Sequence, residues 1–192
     1  MKSTGKIIAI VIAAIVVFTT MWGISTNNSM VTEYEDVKTK ASNIETQLQR
    51  RADLIPNLVA TVKGYAKHEE EVYTAIADAR AKLSGAIEQG DLKEESSANS
   101  ELDSALSRLL VVVENYPELK ADQQFIALQD ELAGTENRIT KARQDYNEEA
   151  AKYNKKIKTF PNSIIAGMKN FESVDYFEAD EGSKEVPTVN FE

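Results

Sequence analysis

The chain has 192 residues, a formal net charge of −9 and no cysteine, which excludes disulfides, thiolate metal sites and a cysteine-linked lipid anchor. Lys2 and Lys6 lie at the N-terminus, so the remainder is nearer −11. With no basic stripe it lacks the cations that nucleic-acid phosphates require. Four prolines and eight glycines are too few for a β-rich or repetitive chain, and the length suits one domain plus an appendage.

Residues 1–6 form a short basic N-terminus, followed by eighteen residues without a charge, IIAIVIAAIVVFTTMWGI, from Ile7 to Ile24. About twenty apolar residues span a bilayer, so this run predicts a transmembrane anchor. Its lipid-facing residues are Ile7, Ile8, Ile10, Val11, Ile12, Ile15, Val16, Val17 and Phe18, with Trp22 where an interfacial aromatic is expected. A cleaved signal peptide is the rival reading, but MWGIST offers no small-x-small cleavage pattern. Lys2, Lys6 and the amino group face only Lys38 and Lys40 within the twenty or so residues after the run. That balance favours a single-pass cell-membrane protein with its domain outside the cytoplasm.

Residues 25–29, STNNS, read as a polar hinge. Beyond it an apolar repeat in steps of three and four runs Tyr34, Val37, Ala41, Ile44, Leu48, Arg51, Ile55, Leu58, Val62, Tyr65, Glu69, Val72, Ile76, Ala79, Leu83. This coiled-coil-like seam predicts one long helix from about Met30 to Leu83. Apolar neighbours Leu54 and Val59 widen the stripe, which suits a bundle of several helices. Arg51 and Glu69 interrupt the seam, and Pro56 follows Ile55. Pro56 has no N–H to give the Ala52 carbonyl, which predicts a kink in a continuing helix. Arg51 is expected to lay its methylenes along the seam and carry its guanidinium to an acid or to the bundle edge. The opposite face presents Arg50, Asp53, Asn57, Ala60, Gly64, Lys67 and Glu71. Ala60 and Gly64 would let a second backbone approach, which makes this face a candidate subunit or partner contact; a merely tolerated glycine is the alternative.

Residues 84–95, with Gly85, Gly90 and Asp91, read as a turn. A helix over about 96–115 follows, its seam Leu102, Ala105, Leu109, Val112 and Tyr116, and Pro117 either ends it or opens the next element. The next helix, about 119–159, carries Phe125, Leu128, Leu132, Thr135, Ile139, Ala142, Tyr146, Glu149, Tyr153 and Phe160 on one seam, with a weak point at Gly134. Pro161 breaks it, and a short amphipathic helix spans about 162–171. Residues 172–192 form an acidic tail with a late apolar trio, Val186, Val189 and Phe191, and read either as a disordered tail or as a strand-like segment laid against a partner. The first and third helices outrun the second. Part of the first must therefore stand as a stalk, pair with the third alone, or meet another subunit. The fold class is all-α: a transmembrane helix, then a long antiparallel helical bundle over residues 30–171.

The chemistry is sparse. His68 is the only histidine, and the Glu-x-x-His pairs that hold metals in helical bundles are absent. No Gly-rich phosphate loop, Gly-x-Ser-x-Gly or cysteine nucleophile is present. The reading is of a non-enzyme with no metal and no cofactor.

At QLQRRADLIPNLVATVKGYAKHE the chain resembles the LemA family, as it does at ELAGTENRITKARQDYN, KYNKKIKTFPNSIIAGM and YFEADEGSKEVPTVNF. The resemblance covers essentially the whole chain. It implies a single-pass bacterial membrane protein with an up-and-down bundle of four helices, and it implies no activity. Some relatives belong to machinery that builds internal membranes, which makes membrane organisation the family-level lead. Gln47, Arg50, Arg51, Asp53, Leu54, Ile55, Pro56, Asn57, Gly64 and His68 match the family's first motif, with no catalytic role to carry over. The leading expectation is a membrane-anchored scaffold that contacts the lipid bilayer, self-associates as a homo-oligomer or organises membrane-protein partners. The alternatives are an accessory regulator of a membrane enzyme such as a protease, and a ligand-sensing bundle that opens around Pro56 and Arg51.

Overall fold

The computed structural model describes residues 2–177. These residues are all-α, with six helices and no strand among them. The helices are α1 (Lys2–Lys63), α2 (Glu70–Gln89), α3 (Leu92–Val113), α4 (Pro117–Lys120), α5 (Gln123–Lys158) and α6 (Asn162–Lys169). The chain divides into two units, residues 2–39 with 147–176, and residues 40–146 with Phe177. Helices α1 and α5 contribute to both.

Two expectations about the first helix are corrected. No hinge occurs at residues 25–29, which are helical within α1. Thr26 and Met30 are buried, and that packing outweighs the weak helix preference of the serines and asparagines beside them. The helix also does not continue to Leu83; it ends at Lys63, and residues 64–69 form the connection to α2. Gly64, Tyr65 and Ala66 turn back on the last carbonyls of α1, with Gly64 N–H donating to Thr61 O at 3.2 Å and Tyr65 N–H to Val62 O at 3.0 Å. Glu69, which sat on the seam in sequence, lies outside both helices. The apolar register also resets across the break. Ala66 and Tyr73 are buried where the repeat named Tyr65 and Val72, and the pattern rejoins at Ile76, Ala79 and Leu83.

Helices α2 and α3 form a hairpin whose connection is two residues rather than the twelve-residue turn expected at 84–95. Gly90 adopts φ 67°, a left-handed conformation that favours glycine, and closes α2. The Asp91 carboxylate then accepts from Lys93 N–H at 2.9 Å and caps α3. Gly85 stays inside α2 because Leu83 and Ala86 beside it are buried. Helix α4 is a single turn begun by Pro117, and Asp122 caps α5 by accepting from Phe125 N–H at 2.8 Å. Gly134 leaves α5 unbroken.

In the second unit the core is built from Ile44, Leu48, Ile55 and Leu58 of α1, Ile76 and Leu83 of α2, Leu102 and Leu109 of α3, and Phe125 and Ile139 of α5. Each such side chain contributes about 1.5–3 kcal/mol on burial. In the first unit α1 pairs with α5 and α6, without α2 or α3, which answers the mismatch in helix lengths. The rings of Tyr34 and Tyr153 meet with centroids 5.5 Å apart, and Lys156 bonds Ser29 and Glu33. Asn154 exchanges two hydrogen bonds with the backbone of Val174, at 2.8 and 2.9 Å, and Tyr153 Oη donates to Glu172 O. The expected tail therefore begins as an extended segment held on α5. Residues 178–192, with Val186, Val189 and Phe191, lie outside the described residues. Phe160 ends the α5 seam in sequence but is exposed, since the helix stops at Lys158.

Pro56 sits inside α1, and the carbonyl it orphans has a replacement donor. Arg80 of α2 gives its Nε–H to Ala52 O at 2.8 Å. Replacing Arg80 with methionine should cost about 1 kcal/mol in urea unfolding. The same change in a Pro56→Ala background should cost clearly less, because alanine restores the intrahelical donor; equal losses in both backgrounds would contradict this pairing.

Candidate functional site

The second unit encloses a group of charges. Arg51 is buried on α1, flanked by Leu48 and Ile55 at helical spacing. Its Nη1 donates to Asn99 Oδ1 of α3 at 2.9 Å and to Glu136 Oε2 of α5 at 2.6 Å, and its Nη2 donates to Asp103 Oδ1 of α3. Asn99 in turn donates to Asp103 Oδ2 at 3.2 Å. One guanidinium therefore ties three helices together, the fork geometry that arginine supplies and lysine does not. Both acids are part-exposed, so the charge is paired at the margin of the core rather than in its middle. Beside them lies a groove of about 480 Å³, with Leu106, Leu109, Leu110 and Leu132 along its apolar side.

A second buried polar group lies one helical turn from Asn99. Glu95 of α3 is fully buried, and neither carboxylate oxygen has a hydrogen-bond partner. Burial, with the nearby Glu45 and Asp91 carboxylates, pushes its pKa up from 4.5 to about 7, while Arg143 pulls it down. Arg143 Nε and Nη2 are likewise buried without hydrogen bonds, and the guanidinium lies 4.6 Å from the Phe177 ring centroid.

The residues singled out in sequence are not one surface. Arg51 faces inward. Arg50, expected to face away from the bundle, reaches α5 and pairs with Glu131 at 2.6 Å, because its long side chain can bend back over the helix. Asp53 accepts from Gln49 at 2.8 Å on the exposed side, and Asn57 and Ala60 are exposed there too. Gly64 is not in a helix interior; it follows the last residue of α1, where a Cβ would lie 3.2 Å from Thr61 O. Its place at the helix end supplies a reason for glycine that needs no second backbone. His68 is exposed in the same connection. Among the described residues no group of three or more His, Cys, Asp or Glu side chains is placed to hold a metal ion.

In the first unit the anchor residues Ile7, Ile8, Ile10, Val11, Ile12, Ile15, Val16, Val17 and Phe18 are all exposed, and Trp22 is half-buried. The most apolar stretch of α1 has a mean hydropathy of 2.6 over an 18-residue window, long and apolar enough to cross a membrane. A helix apolar all round with nothing packed on it has the character of a membrane span.

With this architecture in view, the sequence matches the LemA family over residues 40–191. The chain belongs to the LemA family. It is 31% identical over 173 residues to the magnetosome protein MamQ of Magnetospirillum gryphiswaldense, a match covering 78% of this chain and 64% of the relative. A magnetosome protein MamQ of Paramagnetospirillum magneticum is 30% identical, with 79% and 64% covered. Protein LemA of Metamycoplasma hominis is 27% identical over 80% of this chain and 69% of its own length. The match covers 64% of the length of the two magnetosome relatives. Of the residues that match the family's first motif, Arg51, Ile55 and Pro56 have structural duties inside the bundle, and Arg50 bridges its surface.

The acceptors of Arg51 were not found in sequence, yet a signal existed. Stepping back from Leu102 by three and four reaches Asn99 and Glu95, polar residues at core positions of α3.

Arg51→Ala should lower the unfolding free energy by about 2–3 kcal/mol, less than for a deeply buried pair because Asp103 and Glu136 keep part of their hydration. Arg51→Lys should recover only part of this, since one ammonium cannot serve three acceptors in fork geometry; full recovery in denaturant titrations would contradict the assignment. Glu95 makes a separate prediction about pH. The native acid keeps its proton to about pH 7, whereas the unfolded acid loses it near 4.5. Its contribution is therefore greatest below the unfolded value and is lost as pH rises through about 7. Between about pH 5 and pH 8 the wild type should lose roughly 2 kcal/mol relative to Glu95→Gln, and parallel stability profiles of the two proteins would refute this.

Proposed function

We propose that this protein is a non-enzymatic, membrane-anchored helical scaffold that self-associates or organises membrane-protein partners. The observation that carries the reading is the passage of the apolar run Ile7–Ile24 into residues 25–39 of the same helix without a break. Motion of the span would therefore be transmitted to the rest of its unit without a flexible linker to absorb it. The charged residues of the bundle support the same reading: Arg51, Asn99, Asp103 and Glu136 spend their hydrogen bonds on one another and join helices. The relatives named as magnetosome proteins fit a role in the assembly of a larger structure. In this reading the lysine balance about the span sets the helical body outside the cytoplasm.

The mass of the full-length chain in mild detergent tests the proposal. A discrete oligomer is expected, and it should persist on dilution. A monomer at all concentrations would count against self-association and move the weight to an accessory role on a membrane enzyme, with cross-linking in the native membrane as the next measurement.

A further inference from the structure

Besides α1, the first unit carries a second apolar surface, and its position is set by α1 itself. After α5 ends, residues 159–161 redirect the chain into α6. The inner side of α6 is fixed: Ala166 is buried, and Ile165 Cδ1 lies 3.6 Å from where a Cβ on Gly23 would be. Ile165, Met168 and Lys169 share a cleft of about 330 Å³ with Thr19, Thr20, Gly23 and Asn27 of α1. Helix α6 therefore meets α1 at the last turns of the uncharged run, where that run gives way to polar residues.

Among the described residues nothing covers the outer side of α6. Phe160 is 77% exposed, Ile164 51% and Met168 74%, and these three recur every fourth residue. Met21 and Ile24 of α1, near the cleft, are exposed as well. Large apolar side chains gathered this way are costly in water and mark a binding surface. No acid occurs from Thr159 to Phe171, while Lys155, Lys158 and Lys169 are exposed around the patch. Apolar side chains bordered by lysines are the composition of a helix that lies in the headgroup region, where the apolar groups enter the acyl chains and the cations meet anionic headgroups.

We propose that the segment from Phe160 to Met168 is a membrane wedge, inserted in the leaflet from which α1 emerges. The assignment rests on the reading of Ile7–Ile24 as a span, because contact with residues 19–27 then holds α6 at the depth of the headgroup–acyl boundary. Lipid is favoured over a protein occupant by this continuity with the apolar surface of α1 and by the lysine border. Insertion gives the protein two lipid contacts in one unit, a span and a wedge, and a wedge in one leaflet spreads that leaflet locally.

The test uses the full chain in vesicles of phosphatidylcholine and phosphatidylglycerol whose acyl chains are brominated at known depths. In a Trp22→Phe background, Phe160→Trp or Met168→Trp supplies one reporter, and Ile12→Trp supplies a control inside the span. Phe160 and Met168 are exposed, so these replacements leave the packing intact. The wedge reporters should lose most of their emission to bromines near the headgroup end of the chain and little to bromines near the terminal methyl. The Ile12→Trp control should show the reverse. A quenched control with an unquenched Phe160→Trp reporter overturns the wedge and leaves the span standing. If neither is quenched, the span itself fails and the wedge falls with it. Blue-shifted emission from the Phe160→Trp reporter without quenching would assign the patch to protein contact and likewise overturn the lipid assignment.

Discussion

A guanidinium taken into a helical bundle loses its water and must recover hydrogen bonds from the helices around it. Arg51 does so from Asn99, Asp103 and Glu136, on two helices other than its own. That requirement fixes more than a contact. It sets which faces of α1, α3 and α5 must meet and at which turns, because the fork of the guanidinium has little geometric slack. Leucine and isoleucine packing around it provides most of the burial energy but tolerates small slips; a buried charge does not. The bundle of the second unit is thus apolar in its energetics and polar in its register.

Glu95 and Arg143 obey the same constraint less completely. Both present buried polar atoms without hydrogen bonds, as do Arg51 Nε and Gln47 Oε1, which places a net cost inside the bundle. Glu95 lowers that cost by holding its proton, so part of the stability of the bundle is tied to pH in a range where ordinary carboxylates are silent. The carbonyl left by Pro56 shows the opposite outcome. The break in the hydrogen-bond ladder is repaired by Arg80 from a neighbouring helix, and a proline that would cost about 3 kcal/mol in an isolated helix becomes a link between two.

The first unit combines a long apolar helix surface with a few polar contacts. Its helix α1 has an apolar surface on every side over residues 7–18, on which none of the described residues packs. The part of α1 that leaves this stretch is held by α5 through Tyr34 and Tyr153 and through Lys156. Asn154 and Tyr153 then pin the extended segment that follows α6. Family membership and the all-α fold agree with this arrangement.

The sequence by itself determined the all-α class, the apolar run at Ile7–Ile24, the inward positions of Ile44, Leu48, Ile55, Ile139, Tyr146 and Tyr153, and the membership in the family. Each of these follows from local composition or from a periodicity that a helix imposes on its own residues. The sequence did not determine where the helices stop. The repeat ran through Gly64–Glu69 without a skip because a heptad pattern does not register where a helix ends, and the register, shifted to Ala66 and Tyr73 across the connection, is regained at Ile76. Nor did it place the hinge, since burial of Thr26 and Met30 overrode the polar composition of residues 25–29. Only the tertiary structure decided that Arg51 finds Asn99, Asp103 and Glu136, that Arg80 serves the carbonyl freed by Pro56, and that α6 meets α1 at Gly23. These partners lie far apart in the chain, and which of many carboxylates, carbonyls and apolar faces meets a given residue is settled by how the helices pack, not by any property of the residue alone.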